Sequence, residues 1–299
     1  MNFLFDTLVL TSSRICFLNY IKFYMIKFLL FTIISLQFFN YAFAQEKIEA
    51  KADLVVDSYS SENIRNINAA VVVELEKDWH IYWLNSGDSG MPTSFEFILP
   101  EKISVSEIKW TVPKIFEFEG YASYGYEGIA VFPFSIYIPE NFNQDEITIE
   151  LNLRSLICKD VCKPFNKKLS KTINLKKNFV ADNSVSDLIS NASKNIPVKN
   201  DKLKLRAKNH SDYVAINISS EIIKINKIRN VHFIPYENGI FKNSVTQNFA
   251  LSDSVVVLNV EFDPFKTKVP EILSGILIIE VISEERNSSL AFEVTEKIE

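Results

Sequence analysis

The sequence predicts an all-β protein, two immunoglobulin-like antiparallel β-sandwich domains joined by a short helical linker. Short apolar runs recur along the chain, and turn residues separate them. Composition leans the same way, with 24 Phe and 11 Tyr against only 7 Gly, and with recurring Ile, Val and Thr, the residues that suit a pleated surface. Only one segment has helical spacing, so the strand–helix alternation of a parallel sheet is absent.

In chain order, residues 51–58, 67–76, 79–84, 93–98, 105–111, 129–138, 146–157 and 167–175 read as strands. Ile147 to Arg154 alternates apolar and polar residues, the pattern of a half-buried strand. Asn85 to Gly90, Leu99 to Glu101 and Pro139 to Asn141 supply turn chemistry. From Asp182 to Ile196 the pattern changes: Val185, Leu188, Ile189 and Ala192 fall at helical spacing, Asp182 or Ser184 can cap the start, and Pro197 stops the run. Strands resume at 202–208, 213–219, 229–236, 254–262, 275–282 and 288–295. The resulting division is a first domain over 45–178, a linker helix within 179–200 and a second domain over 201–299.

Residues 1–44 stand apart as a signal peptide with an upstream extension. Met25-Ile26-Lys27 precedes an apolar stretch, Phe28 to Phe39, and Ala42-Phe43-Ala44 offers a cleavage site that would leave Gln45 at the mature terminus. The residues before Met25 are either an extended leader or the product of an upstream start, and a retained membrane anchor is the competing reading. The whole chain has a net charge of −5 and a pI near 5.5. Such a balance excludes the basic surface that nucleic-acid binding needs. Past residue 44, no stretch reaches the roughly 18 apolar residues of a membrane helix. The expectation is an exported, periplasmic protein.

Of 3 cysteines, Cys16 falls in the leader, so the mature chain keeps Cys158 and Cys162. Two lone cysteines this close in an oxidising compartment normally pair. On a straight strand they would stand about 13 Å apart, whereas a disulfide needs Cα atoms within roughly 4.4–6.8 Å. Lys159-Asp160-Val161 must therefore turn sharply, and so short a span must strain to close, which makes the bond more reducible than a structural one. A loop this small restrains the unfolded chain little. Lys159 and Lys163 favour a thiolate, while Asp160 opposes them. Three readings stay open: a structural staple, a redox pair, or metal binding by the thiols with His80, His210 or His232. No histidine has metal-finger spacing, so metal is the weakest. Gly87-Asp88-Ser89-Gly90 has the form of a serine-protease nucleophile motif, but His80 lies too close before Ser89, and a tight turn is preferred. Trp79, Tyr82 and Trp83, of which at least two should be core, could form an aromatic lip over the cysteines; Tyr121, Tyr124 and Tyr126 pose the same choice, with a turn plus packing preferred.

Three motifs, Trp79 to Thr93, Tyr124 to Gly128 and Leu156 to Pro164, resemble in content and order the N-terminal periplasmic region of the DsbD/ScsB family of thiol:disulfide interchange proteins. Val231 to Gly239 is similar to the second β domain of ScsB-like members. The resemblance implies an immunoglobulin-like fold and a disulfide reductase relay in which Cys158 and Cys162 are the redox pair, Cys162 the thiol that attacks partners. It implies no cofactor or metal, and clients that are thioredoxin-fold exported proteins, including cytochrome c maturation factors. Family members usually continue into a membrane domain and a thioredoxin-like domain. With neither before Glu299, a separate membrane electron-transfer protein is expected. The DsbD branch also spaces its cysteines more widely. The alternative is a non-catalytic periplasmic binding or assembly module with a structural disulfide.

Overall fold

Strands follow the apolar runs in the computed structural model, which describes residues 49–299 apart from 225–226, 244–245, 253–254 and 283–287, together with Met25 and Lys27. The leader, its cleavage after Ala44 and the new terminus at Gln45 lie outside the described residues, save that Met25 and Lys27 are helical.

The first β region comprises β1 (Ala50–Val56), β2 (Asn66–Leu75), β3 (His80–Gly87), β4 (Ser94–Ile98), β5 (Ser104–Val105), β6 (Lys114–Phe118), β7 (Tyr121–Glu127), β8 (Ile129–Tyr137), β9 (Glu146–Cys158) and β10 (Cys162–Asn174). Two antiparallel sheets face each other: a four-stranded one ordered β1-β2-β8-β5, and a six-stranded one ordered β10-β9-β3-β7-β6 with β4 also on β9. The alternation read in β9 sends Ile147, Ile149, Leu151 and Leu153 inward, against Val71, Val73, Phe132 and Phe134 of the other sheet.

Two segments differ from expectation. Residues 105–111 are mostly irregular, because the chain there bonds β8 only intermittently, through Ser106 N to Ser135 O and Lys109 N to Pro133 O. The β6–β7 hairpin replaces a stretch read as turn and packing. Glu119 and Gly120 both take positive φ, at 51° and 85°, the mirror-image turn whose twist matches paired strands.

Helix α1 spans Asn183–Lys194, and the Asp182 carboxylate accepts from Ser184 N at its start. Its apolar stripe is not spent on a free tether: Ile189 and Ala192 pack on Ala70, Val72 and Val131, the outer face of β2 and β8. The second β region follows as β11 (Leu203–Asn209), β12 (Tyr213–Ser220), β13 (Ile228–Pro235), β14 (Asn248–Leu251), β15 (Val256–Glu261), β16 (Ile272–Val281) and β17 (Ser288–Lys297). Its sheets are β11-β12-β15-β14 and β13-β16-β17. Between them lies a second core that includes Phe233, Leu258, Leu277 and Phe292. The apolar run Ile276 to Ile279 has no alternation because both faces of its sheet are covered. Leu277 and Ile279 belong to the second core, while Ile276, with Ile234, joins the first. Among the described residues no helix is long and apolar enough to cross a membrane.

Candidate redox site

The β9–β10 hairpin brings the cysteines together. Cys158 is the last residue of β9 and Cys162 the first of β10, and they face each other in antiparallel register. The sharp turn required by their spacing is thus the Lys159–Val161 loop, closed by Lys159 N donating to Val161 O at 3.3 Å. The sulfurs are bonded at 1.98 Å, and the Cα atoms are 4.1 Å apart. The two ends of the bond differ. Cys158 is 3% exposed, because β3 pairs with β9 at that point, His80 opposite Cys158 and Ile81 opposite Ile157. Cys162 is exposed and opens an edge strand. A bond with one open sulfur and one shielded sulfur suits attack at the open end and resolution from within.

Tyr82 supplies the polar contact to this pair. Its hydroxyl donates to Cys158 Sγ at 3.1 Å and lies 3.8 Å from Cys162 Sγ. Burial pushes its pKa up, against a lowering hydrogen bond from Ser89, so the group stays a protonated donor. The Thr93 hydroxyl donates to Tyr82 O at 2.5 Å and meets Ser155 Oγ at 2.7 Å, fixing the strand that carries the ring. Gly90, at φ 90°, lies flat on the ring: a Cβ there would stand 2.1 Å from it. His80 stacks on Phe116 at 4.6 Å and meets Tyr82 edge-on at 5.2 Å. Burial lowers the His80 pKa, with Glu127 opposing, which keeps a neutral ring beside the disulfide.

The flanking cations are less free than the sequence suggested. Lys159 pairs with Asp78 at 3.1 Å, and Lys163 pairs with Glu49 while standing 5.5 Å over the Trp79 ring. Tyr82 and Trp83 are core, at 2% and 0% exposure; only Tyr82 reaches the sulfurs. Tyr124 and Tyr126 are buried and Tyr121 exposed. The Ser89 hydroxyl bonds Ser123, and His80 is held by Phe116, so they form no protease dyad. Among the described residues no group of three or more His, Cys, Asp and Glu could hold a metal ion. Sequence reasoning offered Tyr82 as core or as part of an aromatic lip over the cysteines, but not as a hydrogen-bond donor to sulfur, since the β3–β9 pairing that places it is invisible in a single strand. It missed Asn85, Asp88 and Asn243, whose buried polar contacts join the two β regions.

Comparison with known proteins meets this geometry at the same residues. The model of the family "Thiol:disulfide interchange protein DsbD, N-terminal" matches residues 49–174, which hold all ten strands of the first β region and both cysteines. Among solved structures, the N-terminal periplasmic domain of ScsB from Proteus mirabilis superposes with a TM-score of 0.60 at 14% identity, covering 85% of this chain and 95% of that one. That likeness is one of fold, and it extends into the second β region. A titin fragment, A168169, also matches at 9% identity over 84% of this chain and 100% of that one, but its TM-score of 0.18 carries no weight. No curated protein matches the sequence. Residues 49–174 are a DsbD-type N-terminal domain.

Proposed function

We propose that this chain, whose residues 49–174 form a DsbD-type N-terminal domain, is a periplasmic thiol–disulfide relay protein working through Cys158 and Cys162. The observation that carries the reading is the asymmetry of the bond, an exposed Cys162 tied to a buried Cys158 whose sulfur accepts a hydrogen bond from Tyr82. A donor dithiol reduces the pair, giving two thiols here and a disulfide in the donor. The Cys162 thiolate then attacks a client disulfide, one client sulfur leaves as thiolate, and a mixed disulfide forms. Cys158, deprotonated, attacks Cys162 Sγ, releases the reduced client and restores the starting bond. Two electrons and two protons pass in each cycle.

Thioredoxin-fold exported proteins, cytochrome c maturation factors among them, are the proposed clients, and a separate membrane protein the proposed donor. The reading includes export by a leader cleaved after Ala44, and a division of the mature chain into domains 45–178 and 201–299 around the helix. A glutathione titration followed by mass measurement tests the relay. Reduction across the range in which ordinary exchange proteins are reduced supports it. Resistance throughout that range would make the disulfide structural and the protein a binding or assembly module.

A further inference from the structure

We propose that Asn243, on the second β region, is a positioning residue for the Cys158–Cys162 pair and acts through the Asp88–Gly90 turn. The inference rests on the relay reading and adds to it a task for the second region, which contains no cysteine.

A chain of contacts runs from one region to the other. The Asp88 carboxylate is held on both oxygens: Oδ1 accepts from Asn243 Nδ2 at 3.0 Å, and Oδ2 from Ala122 N at 2.8 Å. Asn243 Oδ1 in turn accepts from the Tyr124 hydroxyl at 3.0 Å. Asn85 ties the same segment down, donating to Pro235 O at 2.8 Å while its Oδ1 accepts from Gly87 N at 2.9 Å. Asn85 and Asn243 are buried, at 0% and 7% exposure, so bonds such as these answer their lost hydration. The residues after Asp88 lead on to the tyrosine: Ser89 is bonded to Ser123, and Gly90 lies against the Tyr82 ring. Tyr82 donates to Cys158 Sγ. Gly90 walls the hydroxyl end of the ring, and it follows the anchored Asp88 by two residues.

The consequence is chemical. A hydrogen bond to a thiolate is charge-assisted and stronger than one to a disulfide sulfur, so a well-placed Tyr82 favours the reduced pair. Freeing the turn loosens Tyr82 and shifts the balance toward the disulfide. The reaction to be read is two glutathione thiols plus the protein disulfide giving the protein dithiol and glutathione disulfide.

Asn243→Asp sets two carboxylates face to face and breaks the tie. The double variant Asp88→Asn/Asn243→Asp restores it with donor and acceptor exchanged. Its amide, now at position 88, can donate to the carboxylate at position 243 and still accept from Ala122 N, while that carboxylate still accepts from Tyr124. With the full purified protein, Asn243→Asp should lower the glutathione equilibrium constant by about threefold or more. The exchanged pair should return it to the wild-type value. Tyr82→Phe should match Asn243→Asp, and the two together should not add. A role confined to holding the regions together would change the unfolding midpoint while leaving the equilibrium constant alone. The inference is overturned if Asn243→Asp keeps the wild-type constant, or if the exchanged pair fails to restore it. Should Asn243→Asp not fold, Asn243→Ala, which removes the donor without adding charge, is judged by the same shift. A wild-type pair that glutathione does not reduce takes down the relay reading first, and this inference with it.

Discussion

The longest hairpin of each β region is put to a different use. β9 and β10 each run 13 residues and close on a disulfide; β16 and β17 each run 10 and carry no cysteine. β9 has one buried face and one polar face, and β10 is an edge strand, so the hairpin's tip reaches solvent with one sulfur open. β16 is central in its sheet and buried on both faces, Leu277 in its own core and Ile276 in that of the first region. One architecture thus yields a reactive edge in one place and an adhesive face in the other. What separates them is which faces are left uncovered, and the chemistry lies in the site rather than in the sandwich.

The first way to break this comparison is to remove the sulfurs, where the expected effect is largest. Cys162→Ser should abolish exchange. Cys158→Ser should trap a mixed disulfide with a thioredoxin-like donor or client, seen as a mass increase lost on reduction. Equal trapping by both variants would remove the assignment of Cys162 as attacker but keep the relay. No trapping by either would leave the first hairpin as inert as the second.

The next test falls on the adhesive face. Ile276→Ala should destabilise by about 2–5 kcal/mol, since it empties a fully buried site. All 3 tryptophans, Trp79, Trp83 and Trp110, lie in the first region, and Trp83 packs 5.6 Å from Tyr236 of the second, so their fluorescence reports the first region and its seam with the second. Because Ile276 belongs to the first core, the tryptophan transition should move to lower urea. A tryptophan transition that stays put would mean the regions unfold independently, as the two-domain division proposes in its strongest form.

His232 offers a pH test of the same sheet. It lies on β13, its Nε2 is buried with no hydrogen-bond partner among the described residues, and burial lowers its pKa to about 4, with Glu280 opposing. The unfolded chain binds a proton near the ordinary value of 6.5, the folded one only near 4. Stability present above pH 6.5 should therefore drain as the pH falls through that window, by at most about 3 kcal/mol, and stop draining below pH 4. Urea midpoints between pH 7 and 4 should fall less steeply in His232→Gln than in wild type. Parallel slopes would show that this imidazole is not held neutral by the fold.

These tests divide along what could be read in the chain. The strands of the first region were legible because a half-buried strand writes its two faces into alternate residues, as Ile147 to Arg154 does. The cysteines were legible because pairing at that spacing needs only a turn. β6 and β7 were not: Tyr121, Tyr124 and Tyr126 read as a turn plus packing until the positive φ of both Glu119 and Gly120 is known. Nor was β10 before residue 167, where Lys163, Pro164 and Asn166 hide an edge strand behind residues that keep such edges from pairing. The contacts of Tyr82 and Asn243 depend on which strand lies beside which, across 76 residues in the case of Tyr82 and Cys158. Local pattern carries no such information.

The smallest expected effect concerns the lysines, and it sharpens the comparison by asking what makes the first hairpin reactive. The sequence places Lys159 and Lys163 beside the cysteines, where bare cations would favour a thiolate. In the fold each faces a carboxylate, Asp78 and Glu49, and the pairs are partly open to solvent. Water weakens such charges, and exposed ion pairs are worth about 0–1 kcal/mol. Removing one lysine also takes a cation away from its carboxylate, so neither change acts on the sulfur alone. Lys159→Ala and Lys163→Ala should each alter the rate of reduction by glutathione less than about threefold, and raising the salt should shrink even that difference. A tenfold loss for Lys163→Ala that salt does not touch would show that electrostatics at the hairpin tip, rather than exposure of Cys162 and the Tyr82 hydrogen bond, sets its reactivity.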